Sequence, residues 1–174
     1  MTVMTAPFAP VTISELPPST RFSLRTADPA AVSAGLGLEL SSKIGVRAAA
    51  DGRTALCLGP GEWLIEAPET QTPALTATFS GLEARLPLSA VEVSDREITL
   101  ALSGPAVLDL LATGCPRDLA KLAVGSGCRT LFDTVQVVLT REAEDRLHLT
   151  VWRSFAPHIR ALLDIAAREL AAGL

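Results

Sequence analysis

The sequence has no cluster of basic residues. Its fifteen lysines and arginines are scattered over 174 residues, and the net charge is −4 with a pI of about 5.2. Binding a phosphate backbone calls for a concentrated positive face, so this distribution argues against a nucleic-acid partner. No stretch approaches the roughly 18 consecutive apolar residues of a membrane span. Met1 to Pro10 is apolar, but it has neither the basic start nor the continuous apolar run of a secretory leader. Cysteine is sparse and odd in number: Cys57, Cys115 and Cys128. Such a set does not make a disulfide scaffold, and the expectation is a cytoplasmic protein with reduced thiols.

What remains is a chain that is 48% hydrophobic, enough for one compact unit or two small halves sharing a core. Residues 1–20 hold four of the twelve prolines and show little periodicity. They read as an extended arm, either mobile or laid on another surface. Phe22 and Leu24 alternate with polar residues, as in a strand. Asp28-Pro29 then suggests an N-cap followed by proline at the first helical position, and Thr72-Pro73 suggests the same. Two apolar runs, Thr54 to Leu58 and Glu62 to Ala67, flank Gly59-Pro60-Gly61 and predict a tight hairpin. Leu75, Phe79 and Leu82 share one face of a helix.

Pro87 to Asp95 reads as a connector, after which the programme restarts. Ile98, Leu100 and Leu102 alternate as a strand. Ser103-Gly104-Pro105 is expected to open a helix carrying Val107, Leu108, Leu110 and Leu111, with Ser103 as its cap. Gly114 is expected to close that helix by accepting a positive φ. Leu131 to Thr140 predicts one strand and Arg146 to Trp152 its partner, with Arg141 to Asp145 as the loop between them. The last helix starts near Pro157, with Ile159, Leu162, Leu163, Ala166 and Leu170 on its apolar side. Both halves spell strand, helix, hairpin, helix, a sign of internal duplication. The predicted class is α+β, with mainly antiparallel or mixed sheets and helices packed against them. The predicted division is an arm at 1–20, a first half at 21–86 and a second at 87–174.

The residues that carry chemistry form no familiar constellation. His148 and His158 stand apart from each other and from any Cys-x-x-Cys pair, whereas a zinc site draws four ligands from recognisable pairs. Cys115 follows a helix rather than opening one, so no helix dipole favours its thiolate. Gly59-Pro60-Gly61 leads into a strand, not a helix N-terminus, and cannot aim helix amides at phosphate. Glu62 and Glu66 share one face of a strand and are expected at a solvated edge. Trp63, Trp152 and Arg153 form the candidate contact surface for a partner, because tryptophan and arginine concentrate at interfaces. Either tryptophan could instead be a core anchor, and Trp152 is equally compatible with covering a sheet edge of its own fold.

Several strings, in order, resemble the gamma subunit of heterotetrameric sarcosine oxidase. They are Leu58-Gly59-Pro60-Gly61-Glu62-Trp63-Leu64, Val93-Ser94-Asp95, Leu102-Ser103-Gly104-Pro105, Gly114-Cys115-Pro116-Arg117-Asp118-Leu119, Gly127-Cys128-Arg129-Thr130-Leu131 and Trp152-Arg153-Ser154-Phe155-Ala156. The resemblance implies a fold similar to part of the folate-dependent aminomethyltransferases. It also implies an accessory role without catalysis by this chain alone. The complex would convert sarcosine to glycine with hydrogen peroxide and methylenetetrahydrofolate. FAD, FMN, NAD, zinc and tetrahydrofolate would belong to the alpha, beta and delta subunits. Two other readings stand beside it. One is a separate folate-binding or one-carbon transfer module, with Glu62 or Glu66 near Trp63 as its pocket. The other is a homo-oligomer formed when the chain is isolated.

Overall fold

The computed structural model describes residues 10–173. In chain order the first elements are β1 (Thr12–Glu15), β2 (Ser19–Thr26), α1 (Pro29–Leu36), β3 (Arg47–Ala50), β4 (Arg53–Gly59), β5 (Glu62–Pro68) and α2 (Thr72–Glu83). Then come β6 (Leu88–Glu92), β7 (Glu97–Ser103), α3 (Val107–Ala112), β8 (Gly127–Phe132), β9 (Val135–Ala143), β10 (Arg146–Trp152) and α4 (Ala156–Ala171). The strands form two five-stranded sheets, ordered β3-β4-β5-β2-β6 and β8-β9-β10-β7-β1, with antiparallel pairing throughout. The class is α+β. Among the described residues no helix is long and apolar enough to cross a membrane.

The duplication is explicit in the sheet orders, because β2, β3, β4 and β5 occupy the positions that β7, β8, β9 and β10 occupy in the second sheet. The fifth strands are exchanged. β1 precedes the first unit but pairs with β7 of the second, from Thr12 opposite Ser103 to Glu15 opposite Leu100. β6 precedes the second unit but pairs with β2 of the first, from Phe22 opposite Glu92 to Thr26 opposite Leu88. Each sheet is thus completed by a strand lying in sequence ahead of the other unit. Residues 1–9 of the expected arm lie outside the described residues. Its remainder includes β1 and the start of β2, and Pro87 to Asp95 likewise contains a strand rather than only a connector.

Local chemistry explains several boundaries. Asp28 accepts from the Ala31 amide at 3.0 Å, Pro29 begins α1, and Gly37 ends it at φ 67°. Thr72 is the first residue of α2 rather than its cap, and its hydroxyl donates to the Glu69 carbonyl at 2.7 Å. Ser103 does not cap α3. It closes β7, and the helix begins four residues later behind Ala106. Gly114 is not at positive φ. Its glycine is required by proximity instead: a Cβ there would sit 2.9 Å from Phe132 Cζ.

The expected strand from Leu131 to Thr140 is broken at Asp133. That residue has φ 53°, a region aspartate tolerates better than most, and the chain reverses between Phe132 and Val135. β9 then continues through Arg141, which had been assigned to a loop. The Arg141 guanidinium is buried and donates to the carbonyls of Leu122 at 2.9 Å and Glu144 at 3.0 Å. Those bonds are what allow a charged side chain inside the second core.

Each sheet covers one face with its helices. Trp63, Phe22, Ile65, Leu75 and Phe79 centre the first core; Leu102, Leu110, Leu139, Leu149 and Ile159 centre the second. Among the described residues, the apolar contact between the sheets is small, made by Leu56, Leu64 and Val138 with Leu58 against it. The rest of that layer is polar.

Candidate functional site between the two sheets

Strand alternation sends Trp63, Ile65 and Ala67 of β5 into the first core, and Glu62, Leu64 and Glu66 to the opposite face. That opposite face is not a solvated edge, as had been expected for Glu62 and Glu66. It meets the second sheet. Register places Arg21 opposite Glu66 and Arg25 opposite Glu62 on β2. From the second sheet come Arg129 of β8, Gln136 and Val138 of β9, and Trp152 of β10.

Three ion-pair clusters bind the sheets. Arg21 has a side chain only 2% exposed; its Nη2 donates to Glu66 Oε1 at 3.0 Å and to Thr99 Oγ1 at 2.7 Å, and its Nη1 to the Glu97 carbonyl at 3.1 Å. Arg129 holds Glu62 through two parallel bonds of 2.6 and 3.0 Å. Arg47 reaches across to Glu142 at 2.6 Å, beside Thr140 at 2.6 Å and His148 at 3.5 Å. The hydrogen bonds from Arg129 hold the Glu62 carboxyl below its ordinary range, against the opposing effect of burial. Burial acts to raise the Glu142 carboxyl, but Thr140, Arg47 and His148 together bring it below its usual value. Burial lowers His148, outweighing the attraction of Glu142.

One end of this layer opens into a cleft of about 230 Å³. Ser23, Arg25 and Glu62 form one wall, Arg129, Gln136 and Trp152 the other, with Arg96 and Glu97 at the join. Arg96 lies 5.5 Å above the Trp152 ring and donates to Glu97 Oε1 at 2.7 Å. Trp152 and Phe155 are 6.2 Å apart, and each is 43% exposed.

The sequence-derived candidates therefore separate. Trp63 is 2% exposed, and its indole donates to the Ser41 carbonyl at 2.8 Å. It is a core anchor and is withdrawn from the contact surface. Trp152 is exposed, and the adjacent Arg153 donates to the Asp95 carbonyl at 3.1 Å. Glu62 and Trp63 both border the cleft, but their side chains face opposite sides of β5, and the Trp63 ring lies in the first core rather than against the carboxylate. The three cysteines are free and buried, and burial raises the thiols of Cys57 and Cys128. Among the described residues no group of three or more His, Cys, Asp or Glu is placed to hold a metal. His158 instead meets Asp133 at 3.3 Å.

Sequence reasoning missed Arg21, Arg96, Glu97, Arg129 and Glu142. The available signal was complementary charge on alternating strand positions, Arg21 and Arg25 against Glu62 and Glu66. It becomes readable only once β2 is known to pair with β5.

A family model described as "Sarcosine oxidase, gamma subunit family" matches residues 24–169. The sarcosine oxidase gamma subunit of Corynebacterium sp. (strain U-96) is 31% identical, over 92% of this chain and 83% of that protein. The gamma subunit from an Arthrobacter species is 34% identical, over 84% of this chain and 72% of that protein. The solved heterotetrameric sarcosine oxidase from Corynebacterium sp. U-96, in complex with pyrrole 2-carboxylate, contains a chain that superposes with a TM-score of 0.85 at 30% identity. The superposition covers 92% of this chain and 85% of that one. Glycine cleavage system aminomethyltransferase T from Bartonella henselae shares the fold, with a TM-score of 0.71 at 16% identity over 94% of this chain and 50% of that one.

Proposed function

The chain belongs to the sarcosine oxidase gamma-subunit family, and from that premise we propose that it is the accessory, non-catalytic gamma subunit of a heterotetrameric sarcosine oxidase. The complex oxidises sarcosine to glycine with release of hydrogen peroxide and formation of methylenetetrahydrofolate. This chain assembles in the cytoplasm with alpha, beta and delta subunits, which carry the FAD, FMN, NAD and tetrahydrofolate sites. The observation that carries the reading is the chain-long superposition on a chain of a solved heterotetrameric oxidase.

The geometry supports it. Glu62, Glu66 and Glu142 each meet an arginine across or along the inter-sheet layer, an arrangement that joins the two sheets. A general base works best when its pKa lies near the operating pH, whereas the bonds from Arg129 lower that of Glu62. Trp152 and Arg153 remain exposed for contact with a partner.

Co-expression with the other oxidase subunits, followed by purification through a tag on this chain, tests the proposal. Flavin-bearing subunits should co-purify, and the complex should release peroxide on addition of sarcosine. The isolated chain should be colourless and inert. Sarcosine-dependent peroxide release by the isolated chain, or failure to recruit any subunit, overturns the reading.

A further inference from the structure

The Trp152 end of the inter-sheet cleft is the part of the molecule whose side chains are held in place but left uncovered. The inner face of the second sheet extends past the first sheet here. Leu131 lies opposite Gln136 in register, and all three of Leu131, Gln136 and Trp152 are exposed on that face. Trp152 has the Arg96 guanidinium 5.5 Å from its ring and the Phe155 ring 6.2 Å away, two contacts that restrict it. A side chain already held in one geometry loses little freedom on binding.

The charge at this mouth differs from that of the chain as a whole. The protein carries −4 overall, yet the cations lining the cleft are Arg25, Arg96 and Arg129, without a lysine among its lining residues. The two carboxylates that line it are occupied, Glu62 by Arg129 and Glu97 by Arg96. Glu92 and Asp95 are exposed close by in sequence, and the Glu92 carboxylate accepts from Ser94. Arg25 is the freest cation: its side chain is 70% exposed, and it lies 3.7 Å from Glu62, near the outer limit of pairing. Arg129 Nε is buried and has no acceptor. Buried donors of this kind are rare unless something supplies an oxygen. Among the described residues two other buried atoms have no partner: Arg21 Nε, whose residue lines a separate cavity of about 30 Å³, and Glu97 Oε2, whose residue borders both that cavity and this cleft.

We propose that this mouth seats an acidic segment of a partner subunit, with a carboxylate entering the cleft between Arg25 and Arg129 and an apolar side chain lying on Trp152 and Phe155. The inference rests on the accessory-subunit reading and adds to it the surface and the chemistry of the partner. Arginine suits the task because its planar fork binds carboxylates directionally and tolerates partial burial better than lysine. Trp and Arg are also the residue types that dominate binding energy at interface centres.

The test uses the complex co-expressed with its other subunits, with affinity measured by titrating the tagged chain against the remaining subunits at low and high salt. Trp152→Ala should weaken assembly about 30-fold, as expected of an interface anchor. Arg25→Glu should weaken it about tenfold and flatten the salt dependence. Arg25→Glu sets a second carboxylate opposite Glu62 in register, so Arg25→Gln is measured beside it; that variant loses only an exposed, weakly paired charge, should melt close to the wild type and separates loss of binding from loss of folding. If the wild type recruits its subunits and both variants do so equally well, the docking inference fails while the subunit reading stands. If the wild type recruits none, the subunit reading itself fails. Loss with Trp152→Ala but an unchanged affinity and salt slope with Arg25→Glu rejects an acidic partner. A shift of both variants from dimer to monomer, without any effect on the other subunits, identifies a second copy of this chain as the occupant and rejects the proposal.

Discussion

Arg21 of the first sheet donates to Thr99 of the second at 2.7 Å, from a position almost wholly shielded from water. Thr99 in turn shares a 2.8 Å bond with Thr150, so one guanidinium ties β2 to two adjacent strands of the other sheet. Replacing Arg21 with methionine leaves the Glu66 carboxylate, the Thr99 hydroxyl and the Glu97 carbonyl short of a donor. Breaking a buried pair in this way costs about 3 kcal/mol, with the partial exposure of Glu66 limiting the loss. Urea denaturation should show this as a lower midpoint with an unchanged slope. A loss under about 1 kcal/mol would mean that the cluster contributes little to joining the sheets.

Glu62 should make stability depend on acid. Its folded pKa lies below the unfolded value, chiefly because of the Arg129 bonds. Its contribution is therefore fully present above the ordinary glutamate range and is lost as pH falls through the lower folded value. Glu62→Gln should cost about 1–2 kcal/mol at neutral pH and flatten that part of the acid profile. An acid profile with the wild-type slope in this variant would assign the acid loss to other carboxylates.

His148 should act in a higher window. Burial lowers its folded pKa from the ordinary 6.5, so the unfolded chain binds a proton first as pH falls. The folded state loses stability from about that value downward, until the folded imidazole also protonates. The groups facing it are Glu142, Arg47, Glu66 and Arg146. His148→Gln should remove this slope, which thermal melts between about pH 5 and 7.5 can resolve (about 300-fold in proton activity, enough to titrate a histidine). An unchanged slope would sink the assignment.

Gly114→Ala tests close packing rather than backbone conformation. The new methyl would meet three Phe132 ring atoms at 2.9–3.0 Å, and that ring is buried in the second core. The cost should be about 1–3 kcal/mol, as for other overpacked sites. Adding Phe132→Leu should recover part of the loss, because it makes room at the same contact. If the double variant is as unstable as the sum of the single ones, the contact is not the cause.

The exchanged strands predict joint unfolding. Since β1 completes the second sheet and β6 the first, neither half keeps its edge when the other opens. In a Trp152→Phe variant the remaining Trp63 reports the first core, while far-UV dichroism reports both sheets. The two denaturation curves should coincide. Separate midpoints would show that the halves unfold independently.

Much of the local structure was legible in the sequence. Alternation in Phe22-Ser23-Leu24 and Leu147 to Val151 marked strands, Asp28-Pro29 marked a helix start, and Gly59-Pro60-Gly61 marked a hairpin. These signals depend on neighbours a few residues apart, which the chain carries wherever it folds. The break at Asp133 and the strand in Pro87 to Asp95 were harder to see. One is a single polar turn inside an apolar run, and the other is a short edge strand with little burial.

The sequence by itself determined the α+β class, the repeated programme of elements and the helix-facing side of the strands. Apolar alternation reports whether one face of a strand is buried, and it does so without knowledge of the partner. Only the tertiary structure decided what covers the other face. The polar faces of β2, β5, β9 and β10 look solvated in sequence, yet they meet across an ion-paired layer. Whether Glu62 meets water or Arg129 depends on the pairing and register of strands 67 residues apart. The same dependence sent Trp63 into a core and left Trp152 at a surface, because the chain's long-range pairing, not the residue type, sets which face remains open.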